Sequence, residues 1–301
     1  MKIKSIVLPV FLIMLLLLVL YKIDDITVYT VSLINPTPVV HPDPANIYAT
    51  NTDFMFVQKT DDFTPYSRQD LLNILYTVLD NGYEQFTFYC PSEYSECTID
   101  FTDIINNKTL ISDIGDFTHP YNNFTDLNVS TWSHGQIDIQ VIKMYSDDEI
   151  SKMESTIDEI LETTITKEMK LEDKILALHD YIIDITSYDT LESSKGDAFD
   201  LLTTHNAKCS GYADTMAILL DRLNVKNFRV ASENHIWNAV YLDDKWSQID
   251  LTWDDPIVEG NANITDTIRH KFYMVDTNTL LSYDTEEHNF DDTVFLELKQ
   301  S

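Results

Sequence analysis

Three side chains in the second half of this 301-residue sequence have the types needed for nucleophilic acyl transfer: the thiol of Cys209, the imidazole of His235 and the carboxylate of Asp250. Cys209 opens a stretch in which Tyr212, Met216, Leu219, Leu220 and Leu223 recur at helical spacing, which predicts a central, packed helix. A cysteine at the start of such a helix lies among unpaired backbone N–H groups at the positive end of the helix dipole. Both favour the thiolate, the nucleophilic form of the side chain. The same N–H groups can stabilise an oxyanion. A thiol also needs a base beside it, and the base needs a third group to fix its tautomer. Taken alone, Cys209 would read as a buried structural cysteine, and what distinguishes it is the company it keeps.

That company lies on a predicted hairpin. His235 to Leu242 and Lys245 to Thr252 alternate as strands, and Asp243-Asp244 is the turn between them. With a two-residue loop, Leu242 faces Lys245, Trp237 faces Asp250 and His235 faces Thr252. Because side chains alternate along a strand, His235, Trp237, Ala239 and Tyr241 share a face with Trp246, Gln248, Asp250 and Thr252. Ile236, Val240, Leu242, Ile249 and Leu251 form the opposite, core-directed face. In this register His235 and Asp250 are diagonal neighbours, roughly 7–8 Å apart at the backbone and within side-chain reach. A three-residue loop would place them on opposite faces.

Three blocks carry a family resemblance: Lys208-Cys-Ser-Gly-Tyr-Ala213, His235-Ile-Trp-Asn238, and Ile249-Asp-Leu-Thr-Trp-Asp-Asp-Pro256. In this order and spacing they resemble the transglutaminase-like superfamily over about residues 170 to 290. Lys174 to Ile183 and Tyr188-Asp189 also look like the helix and turn that precede the cysteine in bacterial secreted members. The resemblance implies an α+β, papain-like core, in which a helix bearing the cysteine packs on an antiparallel sheet bearing the histidine and aspartate. It implies Cys209 as nucleophile, His235 as base and Asp250 as orienting acid, with no cofactor. Tyr188 is a candidate extra oxyanion donor, and Tyr188, Tyr212, Trp237 and Trp253 are candidates for the substrate cleft, with core packing the alternative for the two tryptophans.

The elements around these blocks suggest four segments. Lys2 and Lys4 precede an unbroken apolar run from Ile6 to Tyr21, about 24 Å long as a helix. Residues 1–22 read as a membrane anchor or a signal segment. No Ala or Gly follows before Ala45, which favours an uncleaved anchor, and the lysines place the rest of the chain outside the cytoplasm. Residues 23–45 end in four prolines within ten residues, an extended stalk. Residues 46–165 read as a smaller α/β accessory domain. It has a helix capped by Ser67 and closed by Asn81-Gly82, strands at Gln85–Tyr89 and Gln136–Met144, and a helix opened by Asp147 or Asp148. Residues 166–301 read as the catalytic domain, with helices over Leu171–Asp184 and Asp197–Thr203 before the cysteine.

Composition bounds the partners. A formal net charge of −30 argues against nucleic acid, which needs a basic surface. Cys90 and Cys97 could close a disulfide in an oxidising compartment or remain free thiols. No metal site is predicted: His179, His205 and His288 lie apart in sequence, His179 reads as a helix-face residue, and Asp276-Thr-Asn278 fails as a calcium loop. Asn107, Asn123, Asn128 and Asn263 head glycosylation sequons. The expected function is thiol-dependent transamidation or hydrolysis of peptide or carboxamide bonds, with a cell-surface protein or cell-wall peptide as substrate. The alternative is a non-catalytic binding or scaffold module on the same fold.

Overall fold

The computed structural model describes Met14, Val40 and residues 42–132, 134–191, 193–255, 269–284 and 286–300. The apolar run of the expected anchor and most of the expected stalk lie outside the described residues, as does Asn263. Among the described residues, no helix is long and apolar enough to cross a membrane.

The first half is a three-stranded antiparallel sheet with helices against it. Helix α1 (Arg68–Asp80) starts where the Ser67 side chain accepts from the Asp70 N–H. It ends at Gly82, whose φ of +66° suits glycine, and where a Cβ would fall 2.1 Å from the Asn46 side chain. Strand β1 (Gln85–Tyr89), helices α2 (Cys97–Asn106) and α3 (Lys108–Asp116), and strands β2 (Phe124–Thr131) and β3 (Gln136–Lys143) follow. The strand order is β1-β3-β2. Ile137, Ile139 and Val141 of β3 point into the core. Cys90 and Cys97 form a disulfide with a Cα–Cα distance of 5.7 Å, tying the end of β1 to the first turn of α2. Helix α4 (Asp147–Thr164) opens at Asp147, one of the two aspartates expected to open it. Ser146 is the N-cap, in a reciprocal capping box with Glu149.

The second half contains α5 (Leu171–Ile185), β4 (Ser187–Tyr188), α6 (Ala198–Thr204), β5 (Asn206–Ala207), α7 (Cys209–Arg222), strands β6 (Asn227–Ala231), β7 (Ile236–Leu242) and β8 (Lys245–Ile249), and the short helices α8 (Leu251–Asp254) and α9 (Thr277–Tyr283). Asp276 caps α9 by accepting from the Thr279 N–H, a helix-start role for the residue that resembled the beginning of a calcium loop.

The antiparallel β6-β7-β8 sheet is covered on both faces. Val240 and Ile249 join a cluster with Met216, Leu219 and Leu220 of α7 and with residues of α4, α5 and α6. Phe228, Val230, Trp237 and Ala239 join a second cluster that also holds Phe54, Leu75, Phe88 and Phe117 of the first half and Phe295 near the C-terminus. The segments on either side of residue 165 therefore meet in one apolar core. A buried guanidinium reinforces the junction. Arg229 of β6 pairs with Asp214 of α7 and donates to the carbonyls of Gly115 and Thr118, at 2.6 and 3.1 Å, and to Asn123 Oδ1 at 2.8 Å. Asn123, one of the sequon residues, is thus committed to this network.

Candidate active site

The helix that carries the thiol is set by close packing. α7 begins at Cys209, and Lys208 just before it donates its N–H to the Gly196 carbonyl at 2.9 Å. Gly211 lies on the first turn. A Cβ there would come within 2.5 Å of the Gly196 carbonyl oxygen, 2.8 Å of the Asp197 carbonyl oxygen and 2.9 Å of Ala207 Cβ. The glycine of the Cys-Ser-Gly-Tyr block therefore lets the helix start sit directly on the 196–197 turn and on β5. Parallel pairing of β4 with β5 brings Tyr188 opposite Ala207, two residues from the thiol. Cys209 is half-buried and is the free cysteine of the chain.

The β7–β8 hairpin has the expected two-residue turn, with Leu242 opposite Lys245 and Asn238 opposite Ile249. Its ladder ends sooner than the alternation implied. β8 stops at Ile249, and Asp250 leaves the sheet, donates its N–H to the Phe272 carbonyl and caps α8 by accepting from the Trp253 N–H at 3.1 Å. An aspartate is a strong helix-starting residue, so capping overrides the strand pattern at 250–252. Thr252 consequently sits in α8 and does not face His235. His235 also precedes its strand, held in a turn by the Ser232 hydroxyl, which accepts from the His235 N–H at 3.2 Å.

Both departures bring the two side chains together. His235 Nε2 lies 2.6 Å from Asp250 Oδ2, with His235 6% and Asp250 1% exposed. With Nε2 on the carboxylate, Nδ1 is the ring nitrogen left for the thiol. Burial opposes a charge on the His235 ring, but the carboxylate of Asp250, by charge and hydrogen bond, and the hydrogen bond and charge of Cys209 outweigh it and lift the imidazole to about 10. Burial alone would raise Asp250, yet His235 and His288 hold it below the usual carboxylate range.

The other sequence candidates divide. Tyr188 remains 39% exposed. Burial and the negative charges of Cys209, Glu287 and Asp250 push its hydroxyl upward, which places it near the thiol and keeps it a donor. Trp253 is half-buried, with Nε1 donating to Glu287 at 3.2 Å. Tyr212 and Trp237 are each 1% exposed and offer a substrate no surface. Tyr212 donates its hydroxyl to Asp255, and Trp237 stacks on the His235 ring at 5.7 Å with Nε1 bonded to Gln248. Both are walls behind the site, because the β7 face that carries His235 is itself packed against the first half.

His288, set aside on sequence for lack of ligand spacing, is completely buried and places Nε2 2.8 Å from the same Asp250 oxygen that His235 uses. Only the fold reveals this, since residues 38 apart carry no common periodicity. His179, on helix α5, is equally buried and bonds Asp180 and Asp254. The sets His179, Asp180, His270 and His235, Asp250, His288 each bring three ligating atoms within 4.8 Å of one another. In both, the nitrogens and oxygens are already hydrogen-bonded to each other, which accounts for the proximity. A cavity of about 590 Å³ lies between the two halves, and Cys209, His235 and Asp250 are not among its lining residues. Ser210 and Ile236, chain neighbours of Cys209 and His235, line it together with Ile111, Phe124 and Leu127.

Residues 158–251 match the sequence profile of the transglutaminase-like superfamily, a span that contains Cys209, His235 and Asp250. The chain carries a transglutaminase-like domain. No curated protein matches the sequence. Among solved structures, one described as a TGase is similar at 17% identity, over 50% of this chain and 49% of that one, with a TM-score of 0.34. Another, a candidate cysteine protease from Cytophaga hutchinsonii, is similar at 13% identity, over 43% of this chain and 62% of that one, with a TM-score of 0.28. The alignments thus span between about half and three-fifths of those chains. In the transglutaminase-like domain described here, the α+β core expected from the sequence is present, with the cysteine helix packed on an antiparallel sheet. Asp284 and His288 lie beyond the matched span.

Proposed function

We propose that this protein is a thiol-dependent acyltransferase or amidase acting on peptide or carboxamide bonds, with Cys209 as nucleophile, His235 as its proton partner and Asp250 as the group that orients His235. The observation that carries this reading is the His235–Asp250 hydrogen bond of 2.6 Å, with the other ring nitrogen left to a half-buried thiol at a helix start. With His235 lifted to about 10 by Asp250 and the sulfur, the ring that faces Cys209 carries a proton to give.

In the reading, the thiolate attacks the carbonyl carbon and a C–S bond forms as the carbonyl electrons move to oxygen. The N–H groups at the start of α7, and the hydroxyl of Tyr188, face the developing oxyanion. His235 gives its proton to the nitrogen as the C–N bond breaks, releasing ammonia or an amine and leaving a thioester. The neutral ring then takes a proton from an incoming amine or water, which attacks the thioester and restores the thiolate. Asp250 keeps Nε2 protonated throughout, so that Nδ1 alone exchanges protons. The cavity lined by Ser210 and Ile236 offers room for one arm of a substrate. The apolar N-terminal run and the lysines before it support a cell-surface setting, with surface protein or cell-wall peptide as substrate.

The test is incubation with a labelled primary amine and a glutamine-bearing protein. Incorporation that disappears in Cys209→Ala supports transamidation, and release of ammonia or peptide without incorporation supports hydrolysis. Neither product from a folded chain would overturn the proposal.

A further inference from the structure

Asp284 and residues 286–290 pack against the triad, although they lie outside the span that matches the family. Ser232 of the His235 turn donates its hydroxyl to the Glu287 carbonyl, and Ser232 pairs with Phe290 as a β-bridge. Trp253, whose N–H is capped by Asp250, donates its indole N–H to the Glu287 carboxylate. At the centre of this segment is His288. Its Nε2 is 2.8 Å from Asp250 Oδ2 and its Nδ1 is 3.1 Å from Asp284 Oδ2. Its ring packs against Trp237, Trp253 and Phe272 and stands edge-on to His235, with centroids 5.3 Å apart.

Two features exceed what filling space requires. Both nitrogens of His288 face carboxylate oxygens, and each such contact is a hydrogen bond only if that nitrogen carries a proton. The oxygen it meets is also the one that His235 uses. A second donor on Oδ2 fixes the carboxylate and takes a share of its negative charge, so Asp250 has less with which to retain the proton of His235.

We propose that His288, held by Asp284, is a positioning residue that fixes Asp250 from behind and restrains the grip of Asp250 on the His235 proton, completing a chain Asp284–His288–Asp250–His235–Cys209 whose middle three members are buried. The inference rests on the triad reading, but its first test needs no substrate. The titratable groups that bear on the pair are Asp250, Asp254, Asp284 and Glu287, the Cys209 thiol and the Tyr188 hydroxyl. The Trp253 N–H meets the other oxygen of Asp250, and among the described residues only His288 shares Oδ2 with His235. It therefore moderates His235 in the direction needed for a proton to leave during turnover.

The experiment is a histidine-ring NMR titration of the full chain, with the His235 signal assigned by its loss in His235→Gln, on wild type, His288→Gln and His288→Phe. Glutamine keeps a donor toward Asp250 without the ring, and phenylalanine keeps the ring volume without a donor. The expected result is a His235 midpoint that rises by about 1 pH unit in His288→Phe, the low end of a neighbouring-charge effect, and by less in His288→Gln. On whichever substrate turns over, kcat should fall by up to about 100-fold in His288→Phe, with KM unchanged and partial recovery in His288→Gln. An unmoved midpoint in both variants would overturn the proposal even if activity fell. Should neither variant fold, the ring ¹⁵N shifts of His288 in the wild-type chain decide. Protons on both nitrogens while His235 is charged support the clamp, and a bare nitrogen refutes it.

Discussion

The second half of the chain holds two histidine–carboxylate clusters of nearly the same composition, one fully buried and one partly so, and they differ in what their ring nitrogens face. One is His235, Asp250 and His288. The other is His179 with Asp180, Asp254 and His270. In the second, both nitrogens of His179 are taken by carboxylates, Nδ1 by Asp180 at 3.0 Å and Nε2 by Asp254 at 3.3 Å. Burial opposes its charge, yet these two partners together raise it above the ordinary imidazole value. No proton there has anywhere to go, and the cluster ties α5 to α8. In the first, His235 gives one nitrogen to Asp250 and leaves the other to Cys209. Composition alone does not separate the candidate catalytic cluster from the other. A free ring nitrogen aimed at a nucleophile does.

The sharpest way to break this comparison is to remove a member of each cluster in turn. Cys209→Ala and His235→Ala should each lower acyl-transfer turnover by about 10⁴-fold or more, measured per folded molecule, with thermal unfolding little changed in Cys209→Ala. Asp250→Asn should cost on the order of 10³–10⁴-fold in kcat by releasing the His235 tautomer, and it should also loosen the start of α8, where the carboxylate caps the Trp253 N–H. His179→Phe should do the reverse. It removes the side-chain donor of the buried Asp254 and leaves it only the Phe272 N–H, so denaturant unfolding should report a loss of about 3 kcal/mol or more, while kcat of the remaining folded protein stays within about twofold of wild type. A His179 variant that kept its stability and lost its turnover would dissolve the distinction.

A smaller effect concerns pH. His235 is raised from the ordinary 6.5 to about 10 in the folded chain. Its pairing with Asp250 therefore stabilises the fold fully below about pH 6.5 and ceases to do so as pH rises through about 10. Wild type should lose thermal stability over that alkaline interval more steeply than His235→Gln, as followed by melting temperature against pH.

Much of this was legible in the sequence because it rests on local rules. Ser67 and Gly82 bound α1, the stripe from Tyr212 to Leu220 reads as the core face of α7, and Asp243-Asp244 sets the hairpin register that puts His235 and Asp250 within reach. What was not legible depends on distant contacts. β2 has a single buried apolar side chain, Leu127, and so no alternation to read. α2 and α3 are short helices whose apolar positions make sense only against α1 and the sheet. Asp250 was assigned to a strand because the pattern of 245–252 alternates, whereas its capping of α8 depends on where the chain turns. His288 and the junction at Arg229 join residues 38 and about 110 positions apart, respectively, and no spacing announces them.

The central claim is that Cys209 and His235 form a reactive pair, and the most direct measurement is the rate of iodoacetamide alkylation of Cys209 at pH 6 in wild type and His235→Ala. With Cys90 and Cys97 joined, Cys209 alone reports. The account predicts that an imidazolium beside the sulfur holds it as thiolate, so that alkylation slows at least about tenfold when His235 is lost. Equal rates in the two folded proteins would mean that the pair is not assembled and would contradict the account.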